Sequence, residues 1–177
     1  MTEQELLHGN KIFLRALEPA DLELLYKWEN NTSLWNTSET LSPISKFILK
    51  RYLENAHKDI YENKQLRLMI QLTKENRPVG TIDLFDFDHY HKRAAVGILI
   101  AEDTDRKKGY ASEALELIGN YCFEHLNLNQ IYCTISKKNS PSLELFKNAG
   151  FRITGTREKW NWTSEGYTDE YFLQRIR

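Results

Sequence analysis

"DTDRKKGYASEALELIGNYCF", from Asp103 to Phe123, joins a short basic turn to an amphipathic helix. The apolar residues share one helical face: Ala111, Ala114, Leu115, Ile118, Tyr121 and Cys122. A helix N-terminus presents unpaired backbone amides and a partial positive charge, which favour an anion such as phosphate. Gly109 lets the backbone approach that anion, and Arg106, Lys107 and Lys108 add positive charge. The segment therefore predicts a phosphate site, although a solvated basic turn is the alternative if the segment is taken alone. It matches neither GxxxxGK[ST] nor GxGxxG, so a nucleotide triphosphatase or a dehydrogenase is not indicated.

The segments on either side of this turn predict a mixed sheet. Three preceding runs, "QLRLMIQLT", "PVGTIDLFDF" and "RAAVGILIAE", are typical of antiparallel strands. After the helix, "NQIYCTIS" predicts a strand, "NSPSLELFKNAG" a helix capped by Asn139 or Ser140, and the last two runs a hairpin. The chain opens with a strand, "NKIFLRAL", and two helices. The predicted class is α/β (α+β), with a mostly antiparallel seven-stranded sheet, about four helices and the order β-α-α-β-β-β-α-β-α-β-β, in one domain over residues 1–177.

The second helix is predicted from "SPISKFILKRYLENAHKDIY". Ser42 is placed at its N-cap and Pro43 at its first helical position. The predicted apolar face consists of Ile44, Phe47, Ile48 and Tyr52.

Composition limits the classes of partner. The 24 basic and 25 acidic residues leave a formal charge of −1, so no overall field attracts nucleic acid or an anionic membrane. The apolar run "VGILIA" is too short to cross a bilayer, which favours a cytoplasmic protein without membrane contact. Cys122 and Cys133 form no CxxC pattern, and we expect buried thiols rather than a zinc site.

"RKKGYA", Arg106 to Ala111, resembles the pyrophosphate loop of the GNAT N-acetyltransferase superfamily, and "NSPSLELFKNAGF" resembles that family's next motif. The resemblance implies acetyl-CoA as co-substrate. Amides of the loop would hold the pyrophosphate, and main-chain groups of the preceding strand and Asn139 would bind the pantetheine arm. The implied coenzyme-binding residues are Ile98, Leu99, Ile100, Arg106, Lys107, Lys108, Gly109, Tyr110, Ala111, Ser112, Asn139 and Ser142.

The strand that contains Gly97 is predicted to bulge, because glycine is unfavourable inside a regular strand. A bulge there would splay this strand from "NQIYCTIS" and open a cleft for the thioester. The backbone amide of Leu99 would then stabilise the oxyanion as an amine attacks directly.

The segment "VGTIDLFDFDHYHKRAAVGILIAEDTDRKKGYASEAL" is similar to bacterial spermidine N-acetyltransferases, with the ribosomal-protein N-terminal acetyltransferases as near neighbours. Two positions depart from the pattern. Ala95 replaces a glutamate of the polyamine group, and Phe146 stands where most members have a tyrosine taken as general acid.

Asp83 and Asp86 are the candidates for handling the acceptor's proton, because a primary amine is almost fully protonated at neutral pH. Three residues apart, they point to opposite faces of a regular strand, and solvated carboxylates at a hairpin are the alternative interpretation. The resemblance adds an allosteric polyamine or metal site at Asp86.

A metal bound by "DFDHYH" is disfavoured because alternation separates its histidines from its aspartates, so a turn and no metal site are expected.

The sequence thus predicts an acetyl-CoA-dependent N-acetyltransferase whose acceptor is a polyamine or, alternatively, a protein or peptide N-terminus. A non-catalytic acetyl-CoA sensor and an RNA-binding module are the alternatives from other classes, and the low net charge disfavours RNA. The expected partners are a small-molecule amine or a peptide N-terminus, no nucleic acid and no membrane, with a homo-oligomer left open.

Overall fold

Seven strands form one mixed sheet in the computed structural model, which describes residues 6–38, 40–56 and 58–177. The strands are β1 (Ile12–Ala16), β2 (Leu66–Leu72), β3 (Pro78–Asp88), β4 (Arg93–Ile100), β5 (Gln130–Ser136), β6 (Arg152–Thr163) and β7 (Gly166–Ile176). Their spatial order is β1-β2-β3-β4-β5-β7-β6, and only β4 and β5 pair in parallel. The predicted mixed, mostly antiparallel seven-stranded sheet is confirmed.

Six α-helices surround the described part of the sheet, two more than predicted, and Pro19–Asp21 and Asp103–Asp105 form short 3-10 helices. The α-helices are α1 (Leu22–Glu29), α2 (Thr32–Ser38), α3 (Lys46–Glu54), α4 (Ile60–Asn63), α5 (Tyr110–Asn120) and α6 (Ser140–Asn148), and α5 continues into a π-helical turn, Tyr121–His125. The two helices missing from the prediction, α2 and α4, are short. None of the helices in the three described ranges is long and apolar enough to cross a bilayer.

The start of α3 differs from the prediction. Ser45, not Ser42, is the N-cap, and its side chain accepts a hydrogen bond from the Ile48 amide at 3.2 Å. Phe47 is 67% exposed, whereas Leu49 is buried against α1. Of the predicted apolar face, Ile44 and Tyr52 pack against the smaller core, whereas Phe47 and Ile48 are exposed.

The two faces of the sheet are covered by different helices. The larger core packs strand residues such as Ile82, Val96 and Ile131 against α5 and α6, and we call this side the α5 face. The smaller core packs Met69 against Trp28 of α1 and Leu49 of α3, and we call this side the α1 face. Because side chains alternate along a strand, each strand contributes to both faces.

The sheet opens between β4 and β5. Their pairing is limited to Arg93–Ala95 against Gln130–Tyr132, after which the strands diverge, so the predicted splay is confirmed. The predicted bulge at Gly97 is wrong, because β3 and β4 pair without interruption from Gly80↔Ile100 to Phe85↔Ala95. The irregularity lies in β3 between Phe85 and Asp88 instead.

Candidate active site

The opening between β4 and β5 leads into a cavity of about 670 Å³. Its main contributors are the end of β4, the loop that leads into α5 together with the first residues of α5, and one face of α6. The predicted coenzyme-binding residues that line it are Ile98, Leu99, Ile100, Arg106, Lys107, Gly109, Tyr110, Ala111, Ser112, Asn139 and Ser142. Leu34 of α2, which was not predicted, lies in the same wall. The structure therefore brings together every predicted coenzyme residue except Lys108.

The loop before α5 has the backbone geometry of an anion-binding turn. Lys107 (φ 60°) and Gly109 (φ 86°) both adopt the left-handed conformation. These two left-handed residues make the turn tight, and α5 begins immediately afterwards at Tyr110, so the free amides of its first turn are directed toward the loop. The Arg106 Nε donates to the Ile100 carbonyl at 3.3 Å, which ties the loop to the end of β4. The loop and the end of β4 thus form one continuous wall of the cavity.

Lys107 and Lys108 differ in position although they are neighbours in sequence. Lys107 lines the cavity, whereas the Lys108 Nζ lies 3.5 Å from the Asp105 carboxylate and outside the lining. The two lysines were predicted to act alike, so this is a difference from the sequence-based expectation.

We expect Lys107→Ala to raise the Michaelis constant for acetyl-CoA by about 3–10-fold, because one charge-assisted contact to phosphate is lost. Lys108→Ala is the matched control and should change it by less than about twofold. Steady-state kinetics with varied acetyl-CoA measures both. Equal effects of the two substitutions would contradict the assignment of Lys107 to the cavity wall.

The loop is anchored by a buried carboxylate. Asp105 is 3% exposed and accepts two hydrogen bonds from Arg77, at 2.8 and 2.9 Å, which joins the loop to the turn between β2 and β3. These hydrogen bonds from Arg77 lower the pKa of Asp105 below its ordinary value of 3.8.

Asp105→Asn should lower the free energy of unfolding by about 1–3 kcal/mol, because it breaks the two-point pairing of a buried charge. A carboxyl with a lowered pKa stabilises the fold above its ordinary pKa, and that contribution is lost as the pH falls through the lower, folded-state value. The difference between parent and variant in the free energy of unfolding, measured by urea denaturation, should therefore become smaller below pH 3.8. Asp103→Asn, at an exposed carboxylate of the same turn, is the control, and an equal loss there would refute the anchor.

Asn139 begins α6 and faces the cavity. Its side-chain oxygen accepts from the Ser142 amide at 3.2 Å, so Asn139 rather than Ser140 is the N-cap. Because the oxygen is used by the cap, the amide NH₂ is the group that can donate to a ligand. The cap therefore fixes the orientation of a hydrogen-bond donor in the cavity wall.

Backbone hydrogen bonds show which amides of β4 face the opening. The Ala101 amide donates to Val79 on the β3 side, and the Lys92 carbonyl accepts from Asn129 and Gln130 on the β5 side. Because polar backbone groups alternate in direction along a strand, the Leu99 amide faces β3, and those of Ile98 and Ile100 face the opening. The prediction of Leu99 as oxyanion donor is therefore corrected, and the amide available at this place is that of Ile98.

Phe146 lies inside the larger core. It is 4% exposed, and its ring packs edge-to-face on Phe151 with centroids 5.0 Å apart. It is absent from the residues that line the cavity, where its neighbour Leu145 is present. The ring has no proton to donate, so α6 supplies no general acid from this position.

Asp83 is part of an ion-pair network on the α1 face. Arg67 of β2 donates to Asp83 at 2.5 Å and to Glu29 at 2.6 Å, and the guanidinium also lies over the Tyr52 ring. The three charged side chains are only 15–21% exposed, and two carboxylates against one guanidinium leave an excess negative charge. Burial raises the pKa of Asp83, and the neighbouring Arg67 opposes this.

Asp83 pairs directly with Gly97 across the β3–β4 ladder. Since Gly97 has no side chain, nothing from β4 covers the sheet at this point, and the Phe85 ring lies beside it. The network therefore borders the strand that carries the cavity-facing amides. Glu29 and Arg67 were not predicted, because only the β2–β3 register and the packing of α1 bring them to Asp83.

Asp86 is exposed and lies at the irregularity of β3, with φ 49°. This irregularity re-aims side chains relative to a regular strand, so alternation alone does not give its direction. The following "DHYH" segment forms a turn in which the Asp88 carboxylate accepts from the His91 amide at 2.9 Å, as predicted.

The aromatic residues of β6 are on the surface. Trp160 and Trp162 are 59% and 71% exposed, so neither packs in the core, although alternation places two such residues on one face of a regular strand. The Arg157 guanidinium lies 5.0 Å from the Trp160 ring centroid and pairs with the buried Glu170 at 3.1 Å. A register shift between Arg157 and Asn161 accompanies this arrangement.

Known proteins are similar to this chain in sequence and in fold. The chain is 28% identical to spermidine N(1)-acetyltransferase of Escherichia coli (strain K12) over 150 residues, which covers 83% of this chain and 76% of the relative. It superposes on spermidine N-acetyltransferase from Vibrio cholerae in complex with CoA and spermine with a TM-score of 0.84, at 22% identity and 95% and 96% coverage. A dodecameric structure of the Vibrio cholerae enzyme gives a TM-score of 0.78 at 25% identity, covering 95% of each chain.

Residues 11–152 match the family model of the acetyltransferase (GNAT) domain. This range includes β1, the network around Asp83, the splayed strands, the anion-binding turn and α6. The elements that build the cavity therefore coincide with the matched range, and the chain belongs to the GNAT acetyltransferase family.

Proposed function

We propose that the chain transfers the acetyl group of acetyl-CoA to a primary amine, with a polyamine such as spermidine as acceptor. The cavity between β4 and α6 is the observation that carries this proposal. It joins an anion-binding turn, a strand with outward-facing amides and a fixed asparagine donor, which are the groups needed by a pyrophosphate, a pantetheine arm and a thioester.

The chemistry that fits these groups is direct transfer. The amine nitrogen attacks the thioester carbonyl carbon, and the resulting oxyanion accepts a hydrogen bond from the Ile98 amide. The C–S bond then breaks, the acetyl group stays on nitrogen, and coenzyme A leaves as a thiolate. Because a thiol has a pKa near 8.5, the thiolate is a tolerable leaving group and takes a proton from water, and Asp83 is the candidate base for the proton that the amine loses. Phe146 has no part in this proton transfer.

The charge of the α1 face supports a cationic acceptor. Asp83, Glu29 and Arg67 together carry one excess negative charge beside the strand that faces the thioester. A second ammonium group of a polyamine would be attracted to such a site, whereas a neutral acceptor would not. The names of the relatives, spermidine N-acetyltransferases, agree with this choice of acceptor.

We also propose a homo-oligomer, because a dodecameric structure is known for the Vibrio cholerae relative. Light scattering on the purified chain tests this, and a monomer at all concentrations would exclude it.

Thiol release from acetyl-CoA in the presence of a panel of amines tests the proposed reaction. Spermidine and spermine should give saturable release well above spontaneous hydrolysis. Release only with peptides that have a free N-terminus would assign the alternative acceptor. Binding of acetyl-CoA without release by any amine would indicate a sensor and contradict catalysis.

A further inference from the structure

A fourth basic side chain reaches the anion-binding turn from a distant part of the sequence. The Lys11 Nζ donates to the Lys108 carbonyl at 3.0 Å. It also lies only 2.9 Å from the place where a side chain on Gly109 would begin. Lys11 precedes β1, so the sequence spacing to the turn gives no sign of this contact.

The backbone around Lys11 is held in place by α5. Both carboxylate oxygens of Glu113 accept from the Lys11 amide, at 3.0 and 3.3 Å. Gly9 packs so closely on the same carboxylate that a side chain there would meet it at 2.0 Å. The backbone of Lys11 is therefore fixed against α5, and the bond to the Lys108 carbonyl holds its ammonium group at the turn.

Lys11 lies in the wall of a second cavity, of about 850 Å³, that adjoins the first. Gly109, Ser112 and Asn148 line both cavities, so the two meet at the start of α5. The basic lining residues of the second cavity are Lys11 and Arg175, and Glu113 and Glu116 are its acidic ones. Arg175 lies beside Gly119, nine residues further along α5 than Tyr110, so Lys11 is the basic residue of the second cavity that lies at the junction.

We propose that Lys11 binds the 3′-phosphate of acetyl-CoA, an inference that rests on the proposed function. In this arrangement the first cavity holds the pantetheine arm of acetyl-CoA and the anion-binding turn holds its pyrophosphate. The nucleotide end of the coenzyme then extends past Gly109. The second cavity begins at that point and is of the size that holds a ligand of this kind. An ammonium at the junction then meets a dianionic phosphate, and it exchanges its bond to the Lys108 carbonyl for a charge-assisted one.

Coenzyme A and dephospho-coenzyme A, which lacks only the 3′-phosphate, test this by calorimetry. Lys11→Met should weaken coenzyme A binding by about tenfold, because one charge-assisted contact is removed, and change dephospho-coenzyme A binding by less than about twofold. Lys11→Arg should largely keep the preference of the parent for coenzyme A. Lys50→Met, at an exposed lysine of α3, is the matched control and should affect neither ligand.

A merely structural Lys11, holding the turn through the Lys108 carbonyl, would weaken both ligands equally, and that result would overturn the proposal. Unchanged coenzyme A binding in Lys11→Met would also overturn it. If Lys11→Met is unstable in thermal melting, Lys11→Gln in the same ligand comparison takes its place. Failure of the parent to bind either ligand would instead contradict the proposed function, so the two failures are distinguishable.

Discussion

Gly109→Asp is expected to weaken acetyl-CoA binding by at least about 100-fold, because a carboxylate is placed where phosphate oxygens should lie. Gly109 has φ 86°, at the last position before α5, and its missing side chain is what gives a ligand access to the first amides of the helix. The Lys11 ammonium, 2.9 Å from the new Cβ, would pair with the introduced carboxylate and be lost to the ligand as well. Calorimetry with acetyl-CoA measures the loss.

Gly166→Asp is a matched control for this substitution. Gly166 also has a positive φ, 106°, and nothing lies within 4 Å of its added side chain in the β6–β7 turn. Both variants therefore carry backbone strain and a new charge, and only one carries them at the proposed pyrophosphate site. Undiminished binding in Gly109→Asp, or equal losses in the two variants, would refute the assignment of the turn.

Asp83→Asn should lower kcat/KM for the amine by about 100-fold, because general base catalysis typically contributes 10²–10⁴-fold. Asparagine keeps the shape of the side chain, and Arg67 retains its bond to Glu29, so the fold is preserved. Binding of acetyl-CoA should stay within about twofold of the parent, since Asp83 does not line the cavity. A loss of coenzyme affinity together with turnover would point to a structural role instead.

The pH dependence gives Asp83 a distinct signature. The group accepts a proton only when ionised, and burial raises its pKa above the ordinary value of 3.8. In the parent, kcat/KM should therefore fall as the pH decreases through that raised pKa, and this acid limb should be absent from Asp83→Asn. If Asp86→Asn removes the acid limb and Asp83→Asn does not, the role belongs to the exposed carboxylate at the β3 irregularity.

Local sequence signals predicted much of the fold. The basic turn before α5, the cap at Asn139 and the alternating runs of the central strands act over a few residues, and each appears where expected. The start of α3 was misplaced because two serines, Ser42 and Ser45, offer equally good caps, and packing of Leu49 against α1 decides between them. The exposed tryptophans of β6 show the same limit. Alternation along a strand indicates that two side chains share a face, but it does not indicate whether another element covers that face.

The parts of the site that escaped prediction depend on long-range register. Whether the amide of Leu99 or that of Ile98 faces the opening follows from the register of pairing with β3, which the backbone hydrogen bonds at the two ends of β4 reveal. Arg67 contacts Asp83, and Lys11 contacts the anion-binding turn. Each contact joins residues from different elements, so local sequence patterns do not predict it. Phe146 shows the converse, since a motif gave its place in the chain but not the burial of its ring.

Mass spectrometry of spermidine after incubation with acetyl-CoA and the chain tests the central claim most directly. The account predicts spermidine that carries one acetyl group on a primary nitrogen, formed in step with free coenzyme A, and almost none of it with Gly109→Asp. Unmodified spermidine in a sample that binds acetyl-CoA and retains its fold would contradict acetyl transfer to a polyamine.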